Sequence, residues 1–259
     1  MGFKFDTKHR TAIFGAGGGI GSSCVAAFTE AGAEIAALDL TEDLAARSIA
    51  GLGAGHQSYA ADVTDPVAMS ELAAKVCADE PVDSVIYCSG ITSTSDVADE
   101  DWSDYRKLMS VNLDGAFYAT QAFCRPMLAA KAPGSFVYIS SMSGQRGEAQ
   151  ASAYCASKFG LIGMVESFAA ENTTTGIRAN AVAPGNVDTA MLRQVAREIA
   201  VEKDSTEQEI WDWLAQQGSA NRLVQPSEVA QACLWLASPL ASGITGAVIK
   251  VDVGQTLDW

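Results

Sequence analysis

Short runs of consecutive apolar residues alternate along the chain with stretches whose apolar positions recur every three or four residues. The runs at 11–14, 34–38, 58–60, 84–88, 135–139, 177–182 and 247–251 are rich in Ala, Val and Ile and read as seven strands buried on both faces. The stretches near 20–31, 42–50, 66–78, 101–131, 151–173 and 226–237 carry the helical period. A strand followed by a helix, repeated, predicts an α/β fold: a doubly wound parallel sheet of about seven strands with helices on both faces. Segment 190–222 breaks the rhythm, because it is helix-forming, rich in charge, holds Trp211 and Trp213, and delays the last strand. An insertion there falls at the carboxyl ends of the strands and reads as a lid over a crevice, the alternative being a surface helix pair. No linker, repeat or low-complexity segment intervenes, so the 259 residues are expected to form one domain spanning 1–259.

Composition narrows the function classes. A hydrophobic fraction of 48% with 19% charged residues is globular. A formal net charge of -14 argues against a nucleic-acid partner, which needs a basic face, and disfavours anionic membrane surfaces. No apolar run approaches the roughly 20 residues of a spanning helix, and the first six residues are too polar for a secretory signal. The six cysteines, Cys24, Cys77, Cys88, Cys124, Cys155 and Cys233, are scattered, and the chain has only two histidines. That spacing predicts no metal site and free thiols in a reducing, cytoplasmic setting.

Between the first strand and the first helix stands TAIFGAGGGIGSS, in which Gly15, Gly19 and Gly21 fit G-x-x-x-G-x-G. Glycines here let the backbone turn tightly and approach a pyrophosphate at a helix N-terminus, where free N–H groups and the dipole favour an anion. The loop predicts a Rossmann-like dinucleotide site, with Gly17 and Ile20 also lining it. Asp39 ends the second strand, 18 residues after Gly21. A carboxylate there accepts hydrogen bonds from both ribose hydroxyls of an adenosine and repels a 2′-phosphate. From 11 to 46 there is no lysine or arginine, while Glu30, Glu34, Asp39, Glu42 and Asp43 are acidic, so NAD is expected rather than NADP, with Leu40 beside the adenosine. A helix cap or a solvated strand end is the alternative for Asp39. Asp62, next to Val63 after the third strand, is expected to accept from the adenine amino group or, equally, to cap the helix that follows.

The segment SAYCASKFG places Tyr154 and Lys158 at i and i+4, on one face of a helix and among small neighbours. A phenol with a pKa of about 10 is a poor base at neutral pH. A nearby ammonium and a cationic nicotinamide ring are expected to stabilise the phenolate, so that tyrosine exchanges a proton with an alcohol while hydride moves. Tyr154 follows Ser141 of FVYISSMSG by 13 residues and precedes NAVAPGNVDTAM.

With the glycine loop, SVNLDG and the tail NRLVQPSEVAQACLWLAS, these motifs make the chain resemble the short-chain dehydrogenase/reductase family over essentially its whole length. The resemblance implies an NAD-dependent alcohol dehydrogenase, homotetrameric, with Asn112, Ser141, Tyr154 and Lys158 as catalytic residues. Asn112 would hold a water in a proton relay through its carbonyl, Ser141 would hydrogen-bond the substrate oxygen, Tyr154 would be the acid/base, and Lys158 would bind the nicotinamide ribose. Cys88, Ser89 and Gly90 would follow the fourth strand beside the cofactor, and Pro184, Gly185, Val187 and Thr189 would form the loop at the nicotinamide. The chain departs from the family pattern at Phe14, at Cys88-Ser89-Gly90 in place of Asn-Ala-Gly, and at Asp252-Val253-Gly254 in place of Asp-Gly-Gly.

By the same resemblance, the substrate pocket draws on Met142, Ser143, Gln145, Arg146, Glu148 and Gln150, on Thr92, Ser93 and Thr94, and on the lid, including Arg193. This mainly polar set favours a small hydroxylated substrate: a sugar, polyol, hydroxy acid or hydroxysulfonate. Ser143, Arg146, Gln150 and Arg193 are the expected substrate residues, with Arg146 or Arg193 either gripping a carboxylate or sulfonate or making surface ion pairs. Trp211 and Trp213 are expected to pack the lid or a subunit contact rather than stack on a sugar. Two alternatives stand beside this reading. A 3-oxoacyl thioester reductase would want a basic patch, yet the helix near 101–131 sets Arg106, Lys107, Arg125 and Lys131 against Asp101, Asp104 and Asp114. A non-catalytic NAD-binding sensor would not need the complete Asn112, Ser141, Tyr154 and Lys158 set.

Overall fold

The computed structural model of the protein describes residues 3–256. Seven strands form one parallel sheet among these residues: β1 (Arg10–Phe14), β2 (Glu34–Asp39), β3 (Gln57–Ala60), β4 (Ser84–Tyr87), β5 (Gly134–Ile139), β6 (Ile177–Pro184) and β7 (Val248–Val251). Their order is β3-β2-β1-β4-β5-β6-β7, and β1 registers Ile13 against Ala37 of β2 and Ile86 of β4. The direction of winding reverses between β1 and β4, which opens a crevice at the carboxyl ends of those strands.

The helices are α1 (Gly19–Glu30), α2 (Glu42–Ser48), α3 (Pro66–Val76), α4 (Trp102–Met109), α5 (Gly115–Ala130), α6 (Ser152–Glu171), α7 (Ala190–Glu202), α8 (Glu207–Gln216) and α9 (Pro226–Ala237). Because successive strand residues point to opposite faces, Phe14 joins one core with Met69, Phe123, Leu161 and Phe168 from α3, α5 and α6. Ile13 joins the other with Val25 and Phe28 of α1 and Val229 and Leu234 of α9. Fully burying a side chain of this size contributes about 1.5–3 kcal/mol. Phe14, where the family pattern has threonine, is spent on packing: its ring meets Phe123 edge-on at 5.5 Å. None of the helices in the described residues is long and apolar enough to cross a membrane.

The sequence pattern predicts one helix over 101–131, but the structure divides it. Residues Ser110–Asp114 form a π-helical turn between α4 and α5. Widening a helix there frees backbone groups from their usual partners, and the buried Tyr87 hydroxyl donates to the Val111 carbonyl at 2.7 Å. Gly115 is required beside it, since a Cβ would stand 2.7 Å from that hydroxyl. Segment 190–222 becomes α7 and α8, which pack on each other around Ala196, Ala200, Ile210 and Leu214. Near the carboxyl end, Val253 adopts a φ of 48°, a left-handed conformation that a β-branched residue resists. The backbone there keeps a glycine's geometry without the glycine.

Candidate active site

The glycine loop brings β1 and α1 into contact through bare backbone. Gly15 has a φ of 69°, and a Cβ there would stand 2.9 Å from the Ser89 amide nitrogen. A Cβ at Gly21 would overlap the Gly15 carbonyl oxygen, and one at Gly19 would meet the Thr189 methyl at 2.8 Å. Helix α1 has Gly18 as its N-cap, with no side-chain cap and no acidic residue in its first turn, so no side chain caps its first-turn N–H groups. Asp39, at the end of β2, accepts from the Gly17 amide and from the Leu40 amide, both at 2.8 Å. It is not a helix cap, because Thr41 caps α2. A carboxylate fixed at the glycine loop, in no ion pair among the described residues, fits the adenosine end of a dinucleotide.

Asp62 lies beyond β3 and closes a local turn on Thr64, accepting from its amide at 3.0 Å and its hydroxyl at 2.7 Å. Asp65, not Asp62, caps α3. Val63 is buried and packs at the Gly115 Cα position.

At the carboxyl ends of β4, β5 and β6 lies a cavity of about 590 Å³. Of the residues singled out in the sequence, Ile20, Cys88, Gly90, Ser141, Ser143, Arg146, Gln150, Tyr154, Lys158, Pro184, Gly185, Val187 and Thr189 line it. Tyr154 and Lys158 both project from α6, and the Lys158 Nζ stands 5.6 Å from the centre of the Tyr154 ring. Lys158 is buried and donates to the Ile139 carbonyl at 2.9 Å. Burial pushes its ammonium down to about 8, with the Cys88 thiol acting the other way. An ammonium so placed, with donors to spare and no carboxylate bonded to it, fits a ribose diol.

The expected lowering of the tyrosine does not occur in the protein alone. Burial pushes the Tyr154 phenol up to about 12; the Ser141 hydroxyl opposes the rise, and the Glu148 carboxylate adds to it. Desolvation of the phenolate outweighs the ammonium 5.6 Å from the ring, so any lowering must come from a positive charge that binds beside it.

Asn112, in the π-helical turn, is fully buried and does not face the cavity with its side chain. It accepts from the Ile91 amide at 2.8 Å and donates to the Ile91 carbonyl at 2.9 Å and to Ser157 Oγ at 3.1 Å. It thereby ties the π-helical turn to α6 and to the segment after β4. Gly90 fits between, with a Cβ position 3.4 Å from Asn112 Oδ1 and 3.5 Å from Lys158 Nζ. Cys88, where the family pattern has asparagine, packs instead in the core that includes Cys24 of α1.

Thr189 caps α7, its hydroxyl accepting from the Leu192 amide at 3.3 Å. Asn186 Nδ2 donates to the Leu214 carbonyl at 3.0 Å, which fastens the loop after β6 to α8. Gln255, which the sequence reading missed, lines the cavity and accepts from the Asn186 amide at 2.9 Å.

The expected substrate residues divide. Arg193 is not among the cavity residues: it stacks on Trp211 at 4.0 Å and pairs with Asp188 at 3.8 Å. A guanidinium between an indole and a carboxylate is already satisfied. Gln150 lies at the rim in a left-handed conformation, and its amide donates to Glu202 of α7 at 3.0 Å, a latch between the loop after Ser141 and the helical pair. Arg146 faces the Glu148 carboxylate at 3.8 Å. The helical pair supplies an apolar wall of Met191, Leu192, Val195, Ile199, Trp213 and Leu214, so the cavity is not mainly polar but two-sided. A polar floor of Thr92, Ser93, Thr94, Ser141, Ser143 and Glu148 faces it.

Over residues 15–256 the chain matches the family model described as enoyl-(acyl carrier protein) reductase. It is similar to galactitol 2-dehydrogenase (L-tagatose-forming) of Cereibacter sphaeroides, 37% identical over 95% of this chain and 94% of the relative. It is also similar to an acetoacetyl-CoA reductase of Synechocystis, 35% identical over 93% of each. Among solved structures, a variant of actinorhodin polyketide ketoreductase with NADPH superposes with a TM-score of 0.91 at 26% identity, covering 98% of this chain and 99% of that one.

Proposed function

The chain belongs to the short-chain dehydrogenase/reductase family and is an oxidoreductase acting on an alcohol, and from that premise we propose that it is an NAD-dependent polyol dehydrogenase. The observation that carries the reading is the meeting of Tyr154, Lys158 and Ser141 on a polar floor at the carboxyl ends of the strands. Bound, the dinucleotide supplies a hydride acceptor. Gly15, Gly19 and Gly21 would leave its phosphates room against α1, Asp39 would hold the adenosine ribose, and Lys158 would hold the other ribose. Tyr154 Oη takes the alcohol proton and Ser141 steadies the alcohol oxygen. The α7–α8 pair is the lid, and its apolar wall excludes water from the reacting carbon.

The NAD preference rests on Asp39 and on the lack of lysine and arginine from 11 to 46, although one structural neighbour holds NADPH. The polyol reading rests on the floor and on the galactitol 2-dehydrogenase likeness. A second reading, 3-oxoacyl thioester reduction, draws on the apolar lid wall and the acetoacetyl-CoA reductase likeness. Exposed Trp102, Phe117 and Phe159 on α4, α5 and α6 favour a homotetramer, and six free cysteines favour a cytoplasmic setting.

The test is reduced-cofactor production from neutral polyols, hydroxy acids and 3-hydroxyacyl thioesters with NAD and with NADP. Polyols with NAD are expected to give the highest kcat/KM. Asp39→Ala combined with Leu40→Arg, at an exposed position, should move the preference toward NADP by about tenfold or more. Equal use of the two cofactors by the unaltered protein would defeat the Asp39 reading.

A further inference from the structure

The loop after Ser141 carries one charge that the proton and hydride transfers do not use. Ser143, buried, donates from Oγ to Glu148 Oε2 at 3.0 Å, and Ser141 donates from Oγ to Ser143 Oγ at 3.2 Å. The Ser143 amide in turn donates to Ser141 Oγ at 3.1 Å. An ionised carboxylate only accepts, so the direction of this chain is fixed: the Ser143 proton points to Glu148 and the Ser141 proton points to Ser143. Toward Tyr154, Ser141 is then left with a lone pair. The pull of the Ser141 hydroxyl on the phenol requires it to turn its proton to Tyr154, which breaks the chain that Glu148 holds.

Glu148 is the one carboxylate among the described residues lining the cavity. Its Oε1 is shut off from solvent and takes no hydrogen bond. Arg146 Nε, at 3.8 Å, is beyond hydrogen-bond reach and offsets only part of the charge. The other titratable groups around the phenol are Lys158 and Cys155 from α6 and, beyond Lys158, Cys88 at the end of β4. None of them touches the serine chain in the contacts described.

We propose that Glu148 is a positioning and specificity residue of this site: ionised, it holds the Ser141 proton on Ser143, away from Tyr154, and it repels alcohols that carry a carboxylate, sulfonate or phosphate. The proposal rests on the alcohol-oxidising reading above and replaces the expectation that Arg146 recruits an anion. Oxidation needs Tyr154 to accept a proton, so Glu148 delays that readiness to higher pH. In exchange the pocket prefers neutral polyhydroxy substrates.

The test compares the unaltered protein with Glu148→Gln, Glu148→Asp and Glu148→Ala. For each, kcat/KM is measured against pH on a neutral polyol and on a hydroxy acid of the same length, with dinucleotide titration as a check of folding. Glu148→Gln should move the acidic limb of the profile down by about half a unit or more. It should also raise hydroxy-acid turnover relative to the polyol by about fivefold or more. Glu148→Ala should follow it in direction, and Glu148→Asp should restore the parent limb. A limb or a ratio left unchanged by Glu148→Gln overturns the proposal. The parent panel separates this from the polyol reading itself: if only 3-hydroxyacyl thioesters are oxidised, that reading falls, while the limb measured on the thioester still reports on Glu148.

Discussion

At the amino-terminal half of the crevice the candidate ligand-facing groups are backbone, the amides of α1 and the Gly15 turn, with one side chain, Asp39, pinned by two amides. At the carboxyl-terminal half they are side chains on a loop and a helical pair, held by Ser143, Glu148, Gln150 and Glu202. The first half has no room for a Cβ at Gly15, Gly19 or Gly21. The second, tight at Gly144 and Gly185, has slack in its loop: a Cβ at Gly147 would meet nothing within 4 Å. A pyrophosphate is the same in every dinucleotide, so its cradle is built from steric necessity. A substrate differs from one relative to another, so its pocket is built from exchangeable contacts.

The sharpest way to separate the halves is Tyr154→Phe, which keeps the ring against Lys158 and removes only the hydroxyl proposed to carry the proton. Turnover should fall by about a thousandfold or more, while the dinucleotide, titrated by fluorescence, binds nearly as before. A large loss of dinucleotide affinity would mean that the two halves are not separable at α6. Next in size is one substitution made in both halves. Gly21→Ala drives a methyl into the Gly15 carbonyl and should cost about 2–3 kcal/mol in urea unfolding, together with dinucleotide affinity. Gly147→Ala should change stability by less than about 0.5 kcal/mol. Equal costs at the two positions would erase the contrast.

The same contrast decides what could be read from the sequence. Strand and helix periods, the glycine spacing, Asp39 and the Tyr154–Lys158 pair are one-dimensional signals, because backbone geometry requires those residues at those intervals. The π-helical break at 110–114 left no signal, since it depends on Tyr87 reaching the Val111 carbonyl from another strand. The partners of Arg193 and Gln150, Trp211 and Glu202, lie 18 and 52 residues away, so these contacts were not legible from local spacing, while Gln150 keeps its place in the cavity lining. The apolar lid wall was equally hidden, because helical spacing tells which residues share a face and not what that face covers. Glu148 was in view, seven residues after Ser141, but its bond to Ser143 is a matter of loop shape.

Lys158 belongs to both halves, and its burial gives the smallest and most pointed test. Its ammonium ordinarily titrates at 10.5 and is pushed down to about 8 in the folded chain by desolvation. Between those values this lysine binds more protons in the unfolded chain than in the folded one, so its own contribution to the unfolding free energy rises with pH there, by up to about 3 kcal/mol. Below pH 8 the folded protein carries that cost in full. Tyr154 acts in the opposite sense above its ordinary value of 10, and the thiols Cys24, Cys77, Cys88, Cys124 and Cys155, all raised in the fold, do so above about 9, so the lysine is isolated by the difference between the parent and a Lys158 variant in urea unfolding. Lys158→Met keeps the length of the side chain and removes the charge, leaving the Ile139 carbonyl without its donor. At pH 7 the variant should be more stable than the parent by about 1–2 kcal/mol, should lose that advantage as the pH rises above 8, and should no longer turn over substrate. A variant that is less stable at pH 7 would show that the ammonium holds the two halves together rather than straining them, and the division drawn above would fail at its shared residue.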